Sequence, residues 1–97
     1  HIHIVNISDI IYIESEGNYT TVNINDSKKI VVSKLIKEFE NLLSGNNFLR
    51  IHQSYLINLE YLKHFDKQTG KVSMSNNIQL PVSVRRKSIL LDFLSNL

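Results

Sequence analysis

Apolar residues recur at every second position along much of this sequence, and that alternation constrains the fold more than any other feature. Ile11 and Ile13 alternate with Tyr12 and Glu14, and the first four residues follow the same pattern. β-Branched and aromatic residues occupy most of the apolar positions. This pattern is typical of half-buried β-strands, because successive side chains point to opposite faces of a sheet. The sequence therefore predicts a domain built mainly of β-strands.

Turn-forming residues divide the first part of the chain into hairpins. A turn through Glu16, Gly17 and Asn18 leads into a strand over Tyr19–Ile24, which is rich in Thr, Val and Tyr. Residues 25–27, Asn-Asp-Ser, form a strong turn signal before a returning strand over Lys28–Val32.

The second part of the chain returns to strand-like content after residue 47. Residues 48–58 and 59–65 favour strands, and residues 67–70 mark a turn. Residues 72–74 are expected to pair with residues 78–80, until Pro81 ends the last strand.

Two segments change to helical spacing. Ser33 is expected to cap the first helix and Gly45 to stop it, and its apolar face comprises Leu35, Ile36, Phe39, Leu42 and Leu43. Ser83 is expected to cap a closing helix whose apolar face comprises Leu90, Phe93, Leu94 and Leu97. The predicted fold class is mainly β, with mostly antiparallel sheets, one amphipathic helix in mid-chain and a short C-terminal helix.

Length and composition narrow the class of protein. Ninety-seven residues suit one domain over residues 1–97, and the absence of cysteine excludes disulfides and thiolate metal sites. The apolar runs are shorter than a bilayer requires, so we expect a cytoplasmic protein with no membrane partner. A start at His1 instead of Met suggests an excised part of a longer protein.

No catalytic or metal-binding constellation is readable. His1 and His3 form the one close histidine pair and lack supporting ligands, and Glu14 and Glu16 lack a nearby nucleophile or base. The three glycines are isolated from one another, which argues against a phosphate-cradling loop. We therefore expect no enzymatic activity, no cofactor and no metal.

Charge is divided unevenly along the chain. Residues 1–47 carry four Lys against six acidic residues, whereas residues 48–97 carry seven Lys and Arg against three acidic residues. A basic second half favours a surface that meets phosphates, although many basic proteins bind no nucleic acid.

Three ordered motifs resemble the LytTR family of bacterial DNA-binding domains. They are Asp9-Ile10-Ile11-Tyr12-Ile13-Glu14-Ser15 with Gly17-Asn18-Tyr19, then Phe48-x-Arg50-x-His52-x-Ser54-x-x-x-Asn58, and finally Leu80-Pro81-Val82-Ser83 followed by Arg85. Together with the mid-chain helix they cover nearly the whole sequence in the order and spacing of the family.

The resemblance implies a largely β output domain of a two-component response regulator, carried C-terminal to a receiver domain that a histidine kinase phosphorylates. It implies sequence-specific binding to direct repeats in double-stranded promoter DNA for transcription regulation, with loops entering successive major grooves and paired domains forming a dimer on DNA. The DNA-facing positions that it implies are Asn18, Tyr19, Thr20, His52, Gln53 and Arg85.

The chemistry of these residues fits that role unequally. Arg85 can pair with guanine and Gln53 with adenine, while Arg86 or Lys87 can contact phosphate near a helix N-terminus that disfavours unpaired cations. The alternative interpretation of these three cations is a merely solvated basic turn. Some family members have Asn in place of Gln53 and a base-reading His in place of Thr20. His52 has an alternative interpretation as a half-buried histidine that orders its loop, and Asn18 as a turn residue alone.

Two other functions stay open at this point. A protein-interaction regulatory module would pair exposed strand edges with a partner and would not bind DNA. An RNA-binding module would stack bases on Tyr12, Tyr19 and Tyr55, which requires all three rings exposed on one sheet face.

Overall fold

The computed structural model describes residues 4–96, which form eight strands and two helices. The strands are β1 Ile10–Glu16, β2 Tyr19–Ile24, β3 Lys28–Val32, β4 Phe48–His52, β5 Tyr55–Asn58, β6 Leu62–Asp66, β7 Lys71–Met74 and β8 Gln79–Pro81. The helices are α1 Ile36–Leu42 and α2 Lys87–Ser95, and short 3₁₀ turns cover Ile7–Asp9, Leu59–Tyr61 and Val84–Arg86. Within residues 4–96, no helix is long and apolar enough to cross a membrane.

The strands form two antiparallel sheets. The larger sheet has the order β3-β2-β1-β5-β4, and the smaller one has the order β6-β7-β8. This architecture confirms the predicted fold class, with one helix in mid-chain and one at the C-terminal end. The predicted hairpin turns at residues 17–18, 25–27 and 67–70 are also present.

The central strand β1 departs from simple alternation because both of its faces are covered. All four residues from Ile10 through Ile13 are buried, and the register with β2 shifts between Ile10 and Tyr12. On one face a core forms with α1, whose Ile36 packs with Ile13 and Leu56. On the other face Ile57 packs in a core that includes residues of the smaller sheet and Leu90 of α2.

The mid-chain helix is shorter than its sequence pattern predicts. It begins at Ile36, so the prediction that Ser33 caps it is wrong. The Glu38 carboxylate accepts a hydrogen bond from the Leu35 amide at 2.9 Å, which ties down the first turn instead. Leu35, which precedes the helix, and Leu42, its last residue, are 62% and 64% exposed, so they do not belong to the buried face that the sequence predicts.

Residues 48–58 form a hairpin rather than one strand. The chain reverses at Gln53 and Ser54, so Ser54 does not belong to the same strand as Arg50 and His52. The pair Gln53-Ser54 contains none of the Gly, Pro, Asn or Asp that mark tight turns most strongly. This hairpin is the feature that matters most for the site below.

The C-terminal helix also differs in detail from its prediction. Ser83 precedes the 3₁₀ turn Val84–Arg86, its side chain forms no capping hydrogen bond, and α2 itself begins at Lys87. Leu90 is buried and Leu94 partly buried, but Phe93 is 43% exposed. His1, His3 and Leu97 lie outside the described residues.

Candidate functional site

Three loops meet at one end of the larger sheet, which we call the loop end: the β1–β2 turn at residues 17–18, the β4–β5 turn at residues 53–54 and the segment Val84–Arg86. Because β1 and β5 are antiparallel neighbours, the end of β1 lies beside the start of β5. Two backbone hydrogen bonds of 2.9 Å join the loops: the Ser15 amide donates to the Ser54 carbonyl, and the Ser83 amide donates to the Ile51 carbonyl.

The β4–β5 turn is held by the Arg50 side chain. Its Nε donates to the His52 carbonyl at 3.0 Å, and its Nη2 donates to the Gln53 carbonyl. Its Nη1 pairs with the Glu40 carboxylate of α1 at 2.9 Å. The Arg50 side chain is 11% exposed and the Glu40 side chain 38% exposed, so the bonds to His52 and Glu40 are partly buried while the bond to Gln53 lies at the surface. The sequence pattern gives no sign of the Glu40 contact, because the two residues belong to different elements.

His52 orders the same turn. Its Nδ1 accepts a hydrogen bond from the Ser54 amide at 3.0 Å, and its ring lies 5.4 Å from the Tyr55 ring, centroid to centroid. The side chain is half-buried. An accepting Nδ1 carries no proton, so a proton on the neutral ring belongs to Nε2. These contacts match the loop-ordering interpretation of His52.

A polar cleft of about 430 Å³ lies between the β4–β5 turn and the segment Val84–Arg86. Its lining includes all three arginines of the chain, together with Gln53 and Ser83. Gln53 and Arg85 are exposed, while Arg86 is half-buried. The Ser83 hydroxyl is buried and has no hydrogen-bond partner among residues 4–96. Three guanidinium groups beside one cleft make it suited to anionic and hydrogen-bond-accepting ligands.

The β1–β2 turn is built differently. Gly17 takes a φ of 60°, which glycine adopts without the strain of a Cβ. Asn18 and Tyr19 are exposed, Tyr19 by 55%, and neither side chain forms a hydrogen bond within the described part of the chain. Lys87, the last of the predicted site residues, begins α2 and is half-buried.

Thr20 corrects the predicted set of DNA-facing residues. Its side chain is 0% exposed, and its Oγ1 donates a hydrogen bond to the Lys34 carbonyl at 2.5 Å. A hydroxyl that is enclosed and already bonded to the backbone cannot reach a base, so the expectation that Thr20 faces DNA is wrong. Its role is to join β2 to the segment before α1.

Two carboxylates lie at the end of β1 close to this surface. Glu14 stands opposite Tyr55 in the sheet, and Glu16 follows two residues later. Hydrogen bonding with Glu16, partial burial and the negative charge of Glu16 raise the pKa of Glu14 to about 7, against a weaker lowering by Lys29. Burial and then the charge of Glu14 raise the pKa of Tyr12 and of Tyr55. This end of β1 therefore takes up a proton near neutral pH.

The burial of Tyr12 contradicts the RNA-stacking hypothesis. Its ring is 5% exposed and packs 6.4 Å from Tyr55, so the three tyrosines do not form an open platform. Among the described residues there is no group of three metal-ligating side chains. The close histidine pair His1 and His3 falls outside the described residues.

Comparisons with known proteins identify the family and the fold of the chain. The model of the LytTr DNA-binding domain family matches residues 1–95. The LytTr DNA-binding domain of a putative methyl-accepting/DNA response regulator from Bacillus cereus superposes with a TM-score of 0.83, at 29% identity over 93% of this chain and 84% of that one.

Curated relatives are longer than this chain. The sensory transduction protein LytR of Staphylococcus saprophyticus is 31% identical over 84% of this chain and 33% of its own length. The sensory transduction protein LytT of Bacillus subtilis is 32% identical over 82% and 34%. The heme-containing CO-sensing transcriptional regulator RcoM 2 of Paraburkholderia xenovorans is 25% identical over 94% and 35%. The chain thus spans about a third of the length of these relatives.

Proposed function

The chain belongs to the LytTR family of DNA-binding domains, and on that premise we propose that it binds double-stranded DNA sequence-specifically through the loop end. Family membership and relatives named as transcriptional regulators support DNA binding for transcription regulation. They favour a binding module over an enzyme. The insertion of loops into successive major grooves is our proposal.

The single observation that carries the proposal is the meeting of the three loops. The predicted reading residues are far apart in sequence, yet Gln53 and Arg85 line one cleft, and a backbone hydrogen bond links their segments. The β1–β2 turn stands beside them and exposes Asn18 and Tyr19. An exposed amide and an exposed guanidinium side by side offer the two side-chain types that read adenine and guanine edges best.

The site residues have different proposed roles. Gln53 and Arg85 read bases, and Arg86 and Lys87 attract phosphates from the start of α2. His52 approaches the DNA but acts mainly on the turn, because its Nδ1 is occupied by the Ser54 amide. Asn18 and Tyr19 contribute a secondary contact.

The assembly around the domain is also a proposal. We propose that two copies bind direct repeats in promoter DNA, and that in the full-length protein a receiver domain and its histidine kinase control the domain. The names of the LytR and LytT relatives support a sensory role, whereas the CO-sensing relative carries heme.

The test is selection of bound sequences from a random duplex pool, followed by mobility-shift titration on the selected site. Arg85→Ala and Gln53→Ala should each weaken binding by about 1–3 kcal/mol, the usual cost of losing a base-reading side chain. Lys67→Ala is the matched control, because Lys67 is exposed in the β6–β7 turn. Unchanged affinity in both site variants would refute the site assignment. Failure to select any duplex, with salt-insensitive binding to a protein partner, would favour the protein-interaction module.

A further inference from the structure

The Arg50 side chain forms more hydrogen bonds to the β4–β5 turn than any other side chain among the described residues. Three of its five N–H groups have partners: the carbonyls of His52 and Gln53, and the carboxylate of Glu40. The two carbonyls belong to His52, which is proposed to approach the DNA, and to Gln53, which is proposed to read a base. One planar guanidinium thus fixes two consecutive peptide groups of the turn and attaches them to α1.

The turn needs this support because its own sequence does not favour a tight hairpin. Two-residue hairpin loops favour turns with positive φ, which match the twist of the strands. Gln53 and Ser54 do not take positive φ. The β4–β5 register also shifts between Arg50 and His52, so the ladder of strand hydrogen bonds is interrupted just before the turn. Contacts from outside the backbone ladder therefore hold the turn.

The ion pair with Glu40 distinguishes Arg50 from an arginine that binds phosphate. The Arg50 guanidinium is paired with a carboxylate at 2.9 Å, and the Arg50 side chain as a whole is only 11% exposed. Arg85 is exposed and has no acidic partner among residues 4–96. Of the arginines lining the cleft, Arg50 is thus the one least available to the DNA backbone.

We infer that Arg50 is a positioning residue for sequence discrimination: it holds the backbone of His52 and Gln53 so that the Gln53 side chain meets a base without first being ordered. This inference rests on the proposed DNA binding. Lysine cannot replace Arg50, because an ammonium group is a point charge without the planar fork that bonds two carbonyls and a carboxylate together.

The test compares Arg50→Lys with wild type on the selected duplex and on a scrambled duplex, over a range of salt concentrations. We expect affinity for the selected site to fall about tenfold, because an unfixed turn must be ordered on binding. Affinity for the scrambled duplex should change less than about twofold, and the dependence on salt should stay the same, because no phosphate contact is lost. Glu40→Gln leaves the Arg50 guanidinium in place. It should show the same pattern, with a smaller loss of affinity for the selected duplex.

A double-mutant cycle shows whether Arg50 acts through Gln53. In the Gln53→Ala background, Arg50→Lys should reduce specific affinity by less than about twofold, since the side chain that it positions is gone. Additive losses would overturn the inference, and so would full affinity in Arg50→Lys. An equal loss on both duplexes with a salt slope lower by about 0.9 would identify Arg50 as a phosphate contact instead.

Thermal unfolding of each variant controls for a loss of fold. If Arg50→Lys does not fold, Glu40→Gln decides: reduced discrimination at an unchanged salt slope supports the positioning role, and unchanged discrimination overturns it. If the wild-type chain itself binds no duplex, the proposed function fails, and this inference fails with it. If the wild type binds and the variant binds equally well, only this inference fails.

Discussion

The β1–β2 and β4–β5 turns lie side by side at the loop end, and each reverses the chain with two residues, yet they are stabilised in opposite ways. The first uses Gly17 at a φ of 60° and needs no side-chain bond. The second has no positive-φ residue and is held by Arg50, by the His52 ring and by a backbone bond to Ser15. Gly17 adopts the backbone conformation of its turn without help from other residues, whereas the conformation of Gln53 and Ser54 depends on the residues around them.

This difference bears on recognition. A turn fixed from outside presents its side chains in one arrangement, so little conformational entropy is lost when DNA binds. A turn that is stable only in its backbone leaves Asn18 and Tyr19 free to adjust. We therefore expect discrimination between sequences to come from the β4–β5 turn and from Arg85, with the β1–β2 turn adding affinity.

Alanine substitution of one amide in each turn gives the largest expected contrast. Gln53→Ala should weaken binding to the selected duplex by about 1–3 kcal/mol, while the matched Asn18→Ala should weaken it by less than about 0.5 kcal/mol. Mobility-shift titrations on selected and scrambled duplexes measure both. Equal losses for the two variants would remove the distinction between the turns.

His52→Ala should loosen the β4–β5 turn alone. It removes the acceptor of the Ser54 amide and the ring that packs near Tyr55, so the free energy of unfolding should fall by about 1–2 kcal/mol. His64→Ala is the control: His64 is exposed on β6, and its loss should change stability by less than about 0.5 kcal/mol. Urea denaturation of both variants measures the difference. A His52→Ala variant as stable as the control would show that the ring does not support the turn.

The smallest expected effect concerns Glu14 on β1, the strand that leads into the β1–β2 turn and pairs with β5. Because folding raises its pKa to about 7, its contribution to stability is fully present below its ordinary pKa and is lost as pH rises through 7. The free energy of unfolding of the wild type should therefore fall by about 1 kcal/mol between about pH 5 and about pH 8, and Glu14→Gln should abolish this fall. The value is modest because solvent screens a partly buried carboxyl.

Urea denaturation at the two pH values measures this change, with Asp92→Asn on the exposed side of α2 as the control. The wild type and the control should share the same decline with pH, and Glu14→Gln should have a flatter profile. Parallel profiles for all three proteins would contradict a proton uptake at Glu14.

The parts of the fold that follow from local chemistry were predictable from the sequence. Asp26 and Ser27 take positive φ in the turn that their residue types indicate, and Val72 pairs with Leu80 as the alternation requires. These features depend on neighbours in sequence. The turn at Gln53 and Ser54 has a weaker signal, with Ser54 alone, and it is held by Arg50 and the distant Glu40.

The resemblance to the family implied a set of site positions, but the sequence did not reveal which of them are buried. Arg85 and Gln53 do line one cleft, but Thr20 is enclosed by the chain around Lys34, a contact between residues 14 positions apart. Tyr12 is likewise covered because β1 lies between two cores, which alternation alone does not reveal. Burial of this kind depends on which layers cover a strand.

Backbone amide NMR of the chain during titration with the selected duplex examines the loop end most directly. We expect the largest shifts at residues 17–19, 52–54 and 84–87, with the β4–β5 amides protected from hydrogen exchange already in the free protein. Shifts concentrated instead on edge strand β3 or on Ile89 and Phe93 of α2, with the three loops unaffected, would contradict recognition of DNA through the loop end.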